Sequence, residues 1–370
     1  MAHQGTGRLT NLQGLRALAA WAVVGHHVLD SLNKYLAPGR IDFYPPTGSY
    51  GVEVFFVISG YVMMRTTAGR RISPLRFLLD RVLRITPLYW FFTLLAYAML
   101  AAGLRLFGQD GADPLSLSMS LLYLPLFADG RPALPVLFTG WTLNYEMLFY
   151  LAFAACLPIR CERCRTMTLL GLFAMAAATR YALPSAYTAW LGRDIIWSFA
   201  LGCLLWPATR SVRIGSTLGL GVLVATLAGL SVAHLLTPLL GGHVELLVGI
   251  LAFAMVGAGV LLENSDRALA PGALTFQGDV SYALYLIHPF ALQAVGKLAI
   301  LLGLTATAGG LAITVLLMIA SAGVSAALVH LAFERPVQRL TRRLRPGRPP
   351  PTVRDQSGGG ISIGPVSGAS

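Results

Sequence analysis

The sequence predicts an all-α, polytopic membrane protein with about ten transmembrane helices. Of its 370 residues 55% are hydrophobic and only 12% charged, and the mean hydropathy is +0.66. Apolar runs long enough to cross a bilayer recur from end to end, and no stretch is polar enough for a separate soluble domain. Arg and Lys gather in alternate short loops. In a soluble protein the net charge of +12 would point to nucleic acid, but this alternation is the mark of membrane topology.

Ten spans can be drawn at about 12–30, 49–65, 85–105, 139–158, 166–182, 194–209, 214–233, 244–262, 279–301 and 308–333. An even count leaves both termini on one side. Twenty Arg residues then fall on that side against seven Arg or Lys on the other, with Arg16 inside the first span. Both termini are expected in the cytoplasm, and the membrane is expected to be the bacterial inner membrane. The spans form one membrane domain, 1–340. After it, 341–370 is rich in Pro, Gly and Ser and is expected to be a disordered basic tail. No internal repeat of fixed period is visible.

The first span carries Arg16, His26 and His27. Ionisable groups are unfavourable in hydrocarbon and usually serve chemistry or transport. The run also has the outline of a signal peptide, but the Arg and His residues interrupt it and no small-x-small site follows, so it reads as uncleaved. Arg16 and His27 are eleven residues apart, which returns to within about 20° of one helix face and separates them by about 16 Å. His26 points roughly 80° away from Arg16. The structural alternative is a snorkelling Arg and a His satisfied by a neighbouring helix.

The second span opens Gly51-Val-Glu53-Val-Phe-Phe-Val-Ile-Ser59-Gly60. Glu53 is expected near the outer end, at the depth of His27. Facing that histidine it would fix one tautomer and raise its basicity; otherwise it caps the outer end near water. The following linker is the most basic. Ser73-Pro74 is a helix start, and the mix of Leu75, Phe77, Leu78, Leu79, Val82 and Leu83 with Arg76, Asp80, Arg81 and Arg84 predicts an amphipathic helix on the inner surface. Its basic residues either anchor to anionic lipid or bind a ligand. The largest outer loop, about 106–138, is mostly apolar and is expected to cap or re-enter the membrane.

Trp141-Thr-Leu-Asn144-Tyr145-Glu146 buries a second carboxylate one to two turns from the outer surface, where it must protonate or find a partner. Cys161-Glu-Arg-Cys164 has metal-like spacing, but no second pair completes a zinc site, so a structural loop with reduced thiols is expected and no metal is implied. In the ninth span Ser281, Tyr285 and His288 recur at i, i+4, i+7 as one polar stripe, which either lines a passage or accompanies a kink at Pro289. Phe333-Glu334-Arg335-Pro336 reads as a helix exit, with Pro stopping the helix and Glu334 and Arg335 free to pair. Together these residues describe a polar path with a basic inner mouth, suited to an anionic, phosphate-bearing donor.

At these positions the chain resembles the membrane-bound acyltransferase family 3, which includes the exopolysaccharide and lipopolysaccharide O-acetyltransferases. The marks are Arg16 with His27, the Gly51–Gly60 segment, Arg81 with Arg84, Trp141 to Glu146, Ser281 to Pro289, and Phe333 to Pro336, in order over about 8–340. The resemblance implies transfer of an acyl group, most often acetyl from cytoplasmic acetyl-CoA, to a hydroxyl of an envelope or exported glycan. It implies that His27 is catalytic, assisted by Glu53 or Glu146. It further implies that Arg16, Arg81 and Arg84 hold the donor, along whose path the Ser281, Tyr285 and His288 stripe would lie; no metal is implied. His27 would either deprotonate the acceptor or carry the acetyl itself. Two departures stand out: Glu53 replaces the Asp of many relatives, and no esterase-like domain is fused, so the acceptor is expected to come directly to the membrane protein. Two other functions fit intramembrane charge: a polar-solute transporter or flippase, and a structural subunit of a polysaccharide-export complex.

Overall fold

A computed structural model describes residues 9–39, 46–109 and 111–343. The tail from 344 onward lies outside them, as do Arg8 and Arg40 of the loop count. The described chain is helical almost throughout. In order come α1 (Thr10–Ser31), α2 (Gly51–Thr67), α3 (Pro74–Ala101), α4 (Pro114–Leu121), the short strands β1 (Leu126–Ala128) and β2 (Arg131–Ala133), α5 (Trp141–Cys156), α6 (Glu162–Ala182) and α7 (Ala186–Leu191). Then follow α8 (Ile196–Thr209), α9 (Ser216–Val232), α10 (Thr237–Leu240), α11 (Val244–Asn264), α12 (Gly272–Leu301), α13 (Ala308–Val329) and α14 (Arg335–Arg343).

A helix overlies each of the ten expected spans. Among the described residues, the helical runs Pro74–Ala101, Ser216–Asn264, Gly272–Leu301 and Ala308–Thr341 are long and apolar enough to cross a membrane. Large apolar side chains such as Val224 on α9 and Leu316, Val324 and Leu328 on α13 stay exposed, as a lipid-facing surface requires. The chain is an all-α membrane protein.

Helix α1 is the hub and packs against α2, α11, α12 and α13. Its first amides have no partner within the helix, and Glu263 at the end of α11 supplies one. The carboxylate accepts from the Thr10 N–H and hydroxyl and from the Asn11 N–H at 3.2 Å. A negative group there also suits the helix dipole. Asn11 returns the tie, donating to Gly259 O and Arg267 O and accepting from the Leu269 N–H. Close approach of α12 depends on Gly278, where a Cβ would overlap the Gln13 carbonyl of α1.

Two expectations about helix ends are corrected. The basic segment 74–84 is not a separate surface helix but the first part of α3, a continuous run of 28 residues. Ser73 caps it, its side chain accepting from the Arg76 N–H at 3.2 Å, and nothing between Arg84 and Ile85 ends a helix. Pro87 removes one backbone bond without breaking the run, as membrane helices tolerate. Leu75, Leu79 and Leu83 remain an exposed apolar row on this first part.

Nor does Pro336 stop the chain. His330–Glu334 form a π-helical turn in which the Arg335 N–H reaches back to His330 O, and α14 continues from there. The wider turn displaces the carbonyl that the proline ring would otherwise strike.

The apolar loop 106–138 folds back as a cap. Asp113 caps α4 by accepting from the Leu115 and Ser116 amides. Asp129 and Gly130, both with positive φ, turn the β1–β2 hairpin, the dipeptide such tight turns favour. Tyr123 Oη donates to Thr86 at 2.9 Å and Trp90 Nε1 to Leu121 O at 3.0 Å, so the loop is fastened to α3.

Candidate active site

The polar stripe expected on α12 exists: Ser281 and His288 face α1, and Tyr285 faces the start of α5. Ser281 is fully buried; its Oγ donates to Gly278 O and accepts from Arg16 Nη2 at 3.0 Å. One turn on, the Tyr285 hydroxyl is bonded to Thr142 Oγ1 at 2.9 Å and to Thr139 O at 3.1 Å, so α12 is pinned to the start of α5. Next along the stripe, the buried His288 donates from Nδ1 to Leu284 O at 3.0 Å. That bond leaves Nε2 as a lone-pair acceptor, and it has no partner among the described residues.

His288 stacks on His27 with ring centroids 5.2 Å apart and planes 24° apart. His26 and Phe138 meet His27 edge-on at 5.2 and 5.1 Å. The partner of His27 is thus an imidazole on α12, and the expected pairing with Glu53 is replaced. Glu53 is buried with Oε2 unpartnered, and the charged groups that act on it are Glu245 and Arg193. Val52, Phe55, Phe56, Ser59 and Val62 of α2 line a cavity that neither Glu53 nor His27 lines, and Glu53, two residues before Phe55, is turned roughly 160° round the helix from that ring.

That cavity, about 340 Å³, holds most of the expected site residues: Arg16, Arg81, Arg84, Glu146, Ser281 and Tyr285. Glu146 accepts from the Tyr150 hydroxyl and from Ser59 Oγ at 3.4 Å. The Arg81 guanidinium lies over the rings of Phe77 and Tyr150, at 5.2 and 5.8 Å. Glu146 is therefore joined to the basic groups, whereas the titratable neighbours of His27 are His288, His26 and Lys34. It sits apart from the histidines instead of biasing them.

A second space of about 550 Å³ shares Gln13, Arg16, Arg81 and Arg84 with the first. Its far wall joins Glu334 and Arg335 to His330 and Gln338, two residues that the sequence did not single out. Arg335 Nε donates to His330 Nε2 at 3.0 Å, so His330 Nδ1 carries the proton given to Glu334 Oε2 at 2.6 Å. Gln338 Nε2 donates to the other Glu334 oxygen at 2.9 Å. Glu334 pairs with His330, not with Arg335 as expected. The signal was present as a His and a Glu four residues apart, one turn of helix.

The two spaces form a basic chamber leading into a less polar pocket that ends near Tyr285. The His27–His288 pair lies beyond that end, with the Tyr285 and His288 rings 6.1 Å apart. Guanidiniums at the wide end suit a phosphorylated ligand, and a buried imidazole with a free lone pair can take a proton. Among the described residues no cluster of three or more His, Cys, Asp or Glu is arranged to hold a metal ion.

Comparison with known proteins identifies the family. Residues 9–330 match the family Acyl_transf_3, described as an acyltransferase domain. The chain is 33% identical over 305 residues to the exopolysaccharide production protein ExoZ of Rhizobium meliloti (strain 1021), covering 80% of this chain and 92% of that protein. It is 30% identical over 302 residues to the putative membrane-bound transacylase BcsY of Komagataeibacter xylinus, covering 76% and 72%. It is 28% identical over 392 residues to the acyltransferase MdmB of Streptomyces mycarofaciens, covering 92% and 94%. No solved structure matches it significantly. With a match over nearly the whole helical body, this chain belongs to the Acyl_transf_3 family of acyltransferases.

Proposed function

We propose that the protein is an integral-membrane O-acyltransferase that moves an acyl group, most often acetyl, from cytoplasmic acyl-CoA to a hydroxyl of an exopolysaccharide or related envelope glycan. The observation that carries this reading is the shared wall of Arg16, Arg81 and Arg84 between a basic chamber and a pocket that narrows toward a histidine pair. A donor with phosphates at one end and a thioester at the other suits such a shape. The similarity to ExoZ, an exopolysaccharide production protein, supports a glycan acceptor.

In this reading the membrane domain is 1–340, set in the bacterial inner membrane with the Arg-rich end and both termini cytoplasmic, and 341–370 is a basic tail. Arg16, Arg81 and Arg84 hold the donor phosphates or pantetheine arm. Ser281 fixes Arg16, and Tyr285 bounds the passage of the thioester. His27, stacked on His288, takes the proton of the acceptor hydroxyl. The hydroxyl oxygen bonds to the acyl carbon, the carbon–sulfur bond breaks, and the thiolate of CoA leaves and is reprotonated. Glu146 lines the pocket beside these arginines, and Glu53 supports the helix packing behind it.

The test uses purified full-length protein, labelled acetyl-CoA and glycan lacking the acetyl group. Label entering the glycan in step with free CoA thiol is the expected result. Neither product in protein that binds acetyl-CoA would leave a transport or structural role.

A further inference from the structure

Cys161 and Cys164 bracket the first turn of α6, outside the expected spans. Cys161 is the N-cap, and its Sγ accepts the Cys164 N–H at 3.3 Å. Sulfur is a weak acceptor, and Ser or Asp fills this position better. Both side chains are exposed, whereas Cys156 and Cys203 are buried. A disulfide needs the two Cβ atoms roughly 3.5–4.5 Å apart, closer than residues three apart within a helix, and the extended backbone of Cys161 at the cap leaves it free to turn toward Cys164.

The turn that carries the pair is held at both flanks. Arg210 bridges to Glu162 at 3.2 Å, and Arg165 Nη1 donates to Thr67 Oγ1 at 3.0 Å. The two thiols are therefore presented at a fixed spacing. They are also unequal. The Cys164 thiol and then the Cys164 N–H hydrogen-bond to Cys161 and draw its thiol below the usual range, with Arg163 adding to the effect; the same contact raises Cys164. Two thiolates do not fill a tetrahedral metal site, so the arrangement fits redox chemistry better.

We propose that Cys161 and Cys164 are a reversible dithiol–disulfide pair, with Cys161 the attacking thiol, that exchanges with a low-molecular-weight disulfide of the glutathione class. The Cys161 thiolate attacks one sulfur, the disulfide breaks, and one thiol leaves with a proton. Cys164 then attacks Cys161 in the mixed disulfide, closing the intramolecular bond and releasing the second thiol. Two electrons pass from the protein to the small disulfide. This inference is independent of the acyltransferase reading.

The test is equilibration of the purified full-length protein in buffers of varied reduced and oxidised glutathione, an acid quench, alkylation and peptide mass spectrometry. The expected result is one transition in which the 161–164 peptide loses both labels and two hydrogens. Cys164→Ser should trap glutathione on Cys161. Cys161→Ser, which keeps an oxygen at the cap, should leave Cys164 reduced under the same buffers. Alkylation of both thiols across the whole range, or equal trapping in the two variants, would overturn the proposal.

Discussion

Arg16 Nη2 donates to Ser281 Oγ at 3.0 Å, joining the first half of α1 to α12 at the boundary between the two cavities. The bond exists because Gly278, three residues earlier on α12, lets that helix sit directly on the α1 backbone. The Ser281 hydroxyl spends its proton on Gly278 O, so its lone pairs are left for the guanidinium. One small residue thereby sets the direction of a charge about one turn away.

Ser281→Ala should free Arg16 while leaving the helix intact. A hydrogen bond to a charged group contributes about 1.5–3 kcal/mol, so affinity for acetyl-CoA should fall by roughly 10- to 100-fold while protein in the membrane stays constant. Titration of purified variants checks this, and unaltered affinity would remove Arg16 from the donor site.

His27→Ala should abolish transfer, because the ring that stacks on His288 is lost. His26→Ala should largely spare it, since His26 meets His27 only by its edge. Acetyl content of the glycan in complemented cells, normalised to membrane protein, distinguishes them. Equal loss in both would mean that the cluster acts only as packing.

Glu146→Gln keeps size and hydrogen-bonding capacity but removes the negative charge that Tyr150 and Ser59 donate to. Turnover should fall by roughly 10- to 100-fold, the scale of losing hydrogen bonds to a charged group of about 1.5–3 kcal/mol. Binding of acetyl-CoA should not weaken, because the nearby Arg16 and Arg81 lose a competing anion. Weaker binding would instead make Glu146 an organiser of those arginines.

His330→Phe removes the acceptor of Arg335 Nε and the donor to Glu334 together. Arg335 then loses its orientation at the cavity wall, and KM for acetyl-CoA should rise by about tenfold with kcat little changed. His330→Gln, which retains polar atoms, should recover part of the loss. A fall in kcat alone would place His330 outside the donor site.

The helical class and the positions of the helices were legible because apolar length and loop charge are local properties of the chain. That Arg16, Arg81, Arg84, Ser281 and Tyr285 would need polar company was also legible, since an ionisable or polar residue within an apolar run does; Glu146, expected beside the histidines, joins the arginines instead. Which residue meets which was not legible. Periodicity gives a face within one helix, but the rotation of one helix against another comes from packing at places such as Gly278 on Gln13. That packing turned Glu53 toward Arg193 and Glu245 and brought His288 to His27. The continuity of α3 and the π turn before Pro336 were decided in the same way. Sequence alone determined which groups had to be buried; only the tertiary structure decided their company and their pairs, because pairing depends on helix rotation and depth that no single run of residues encodes.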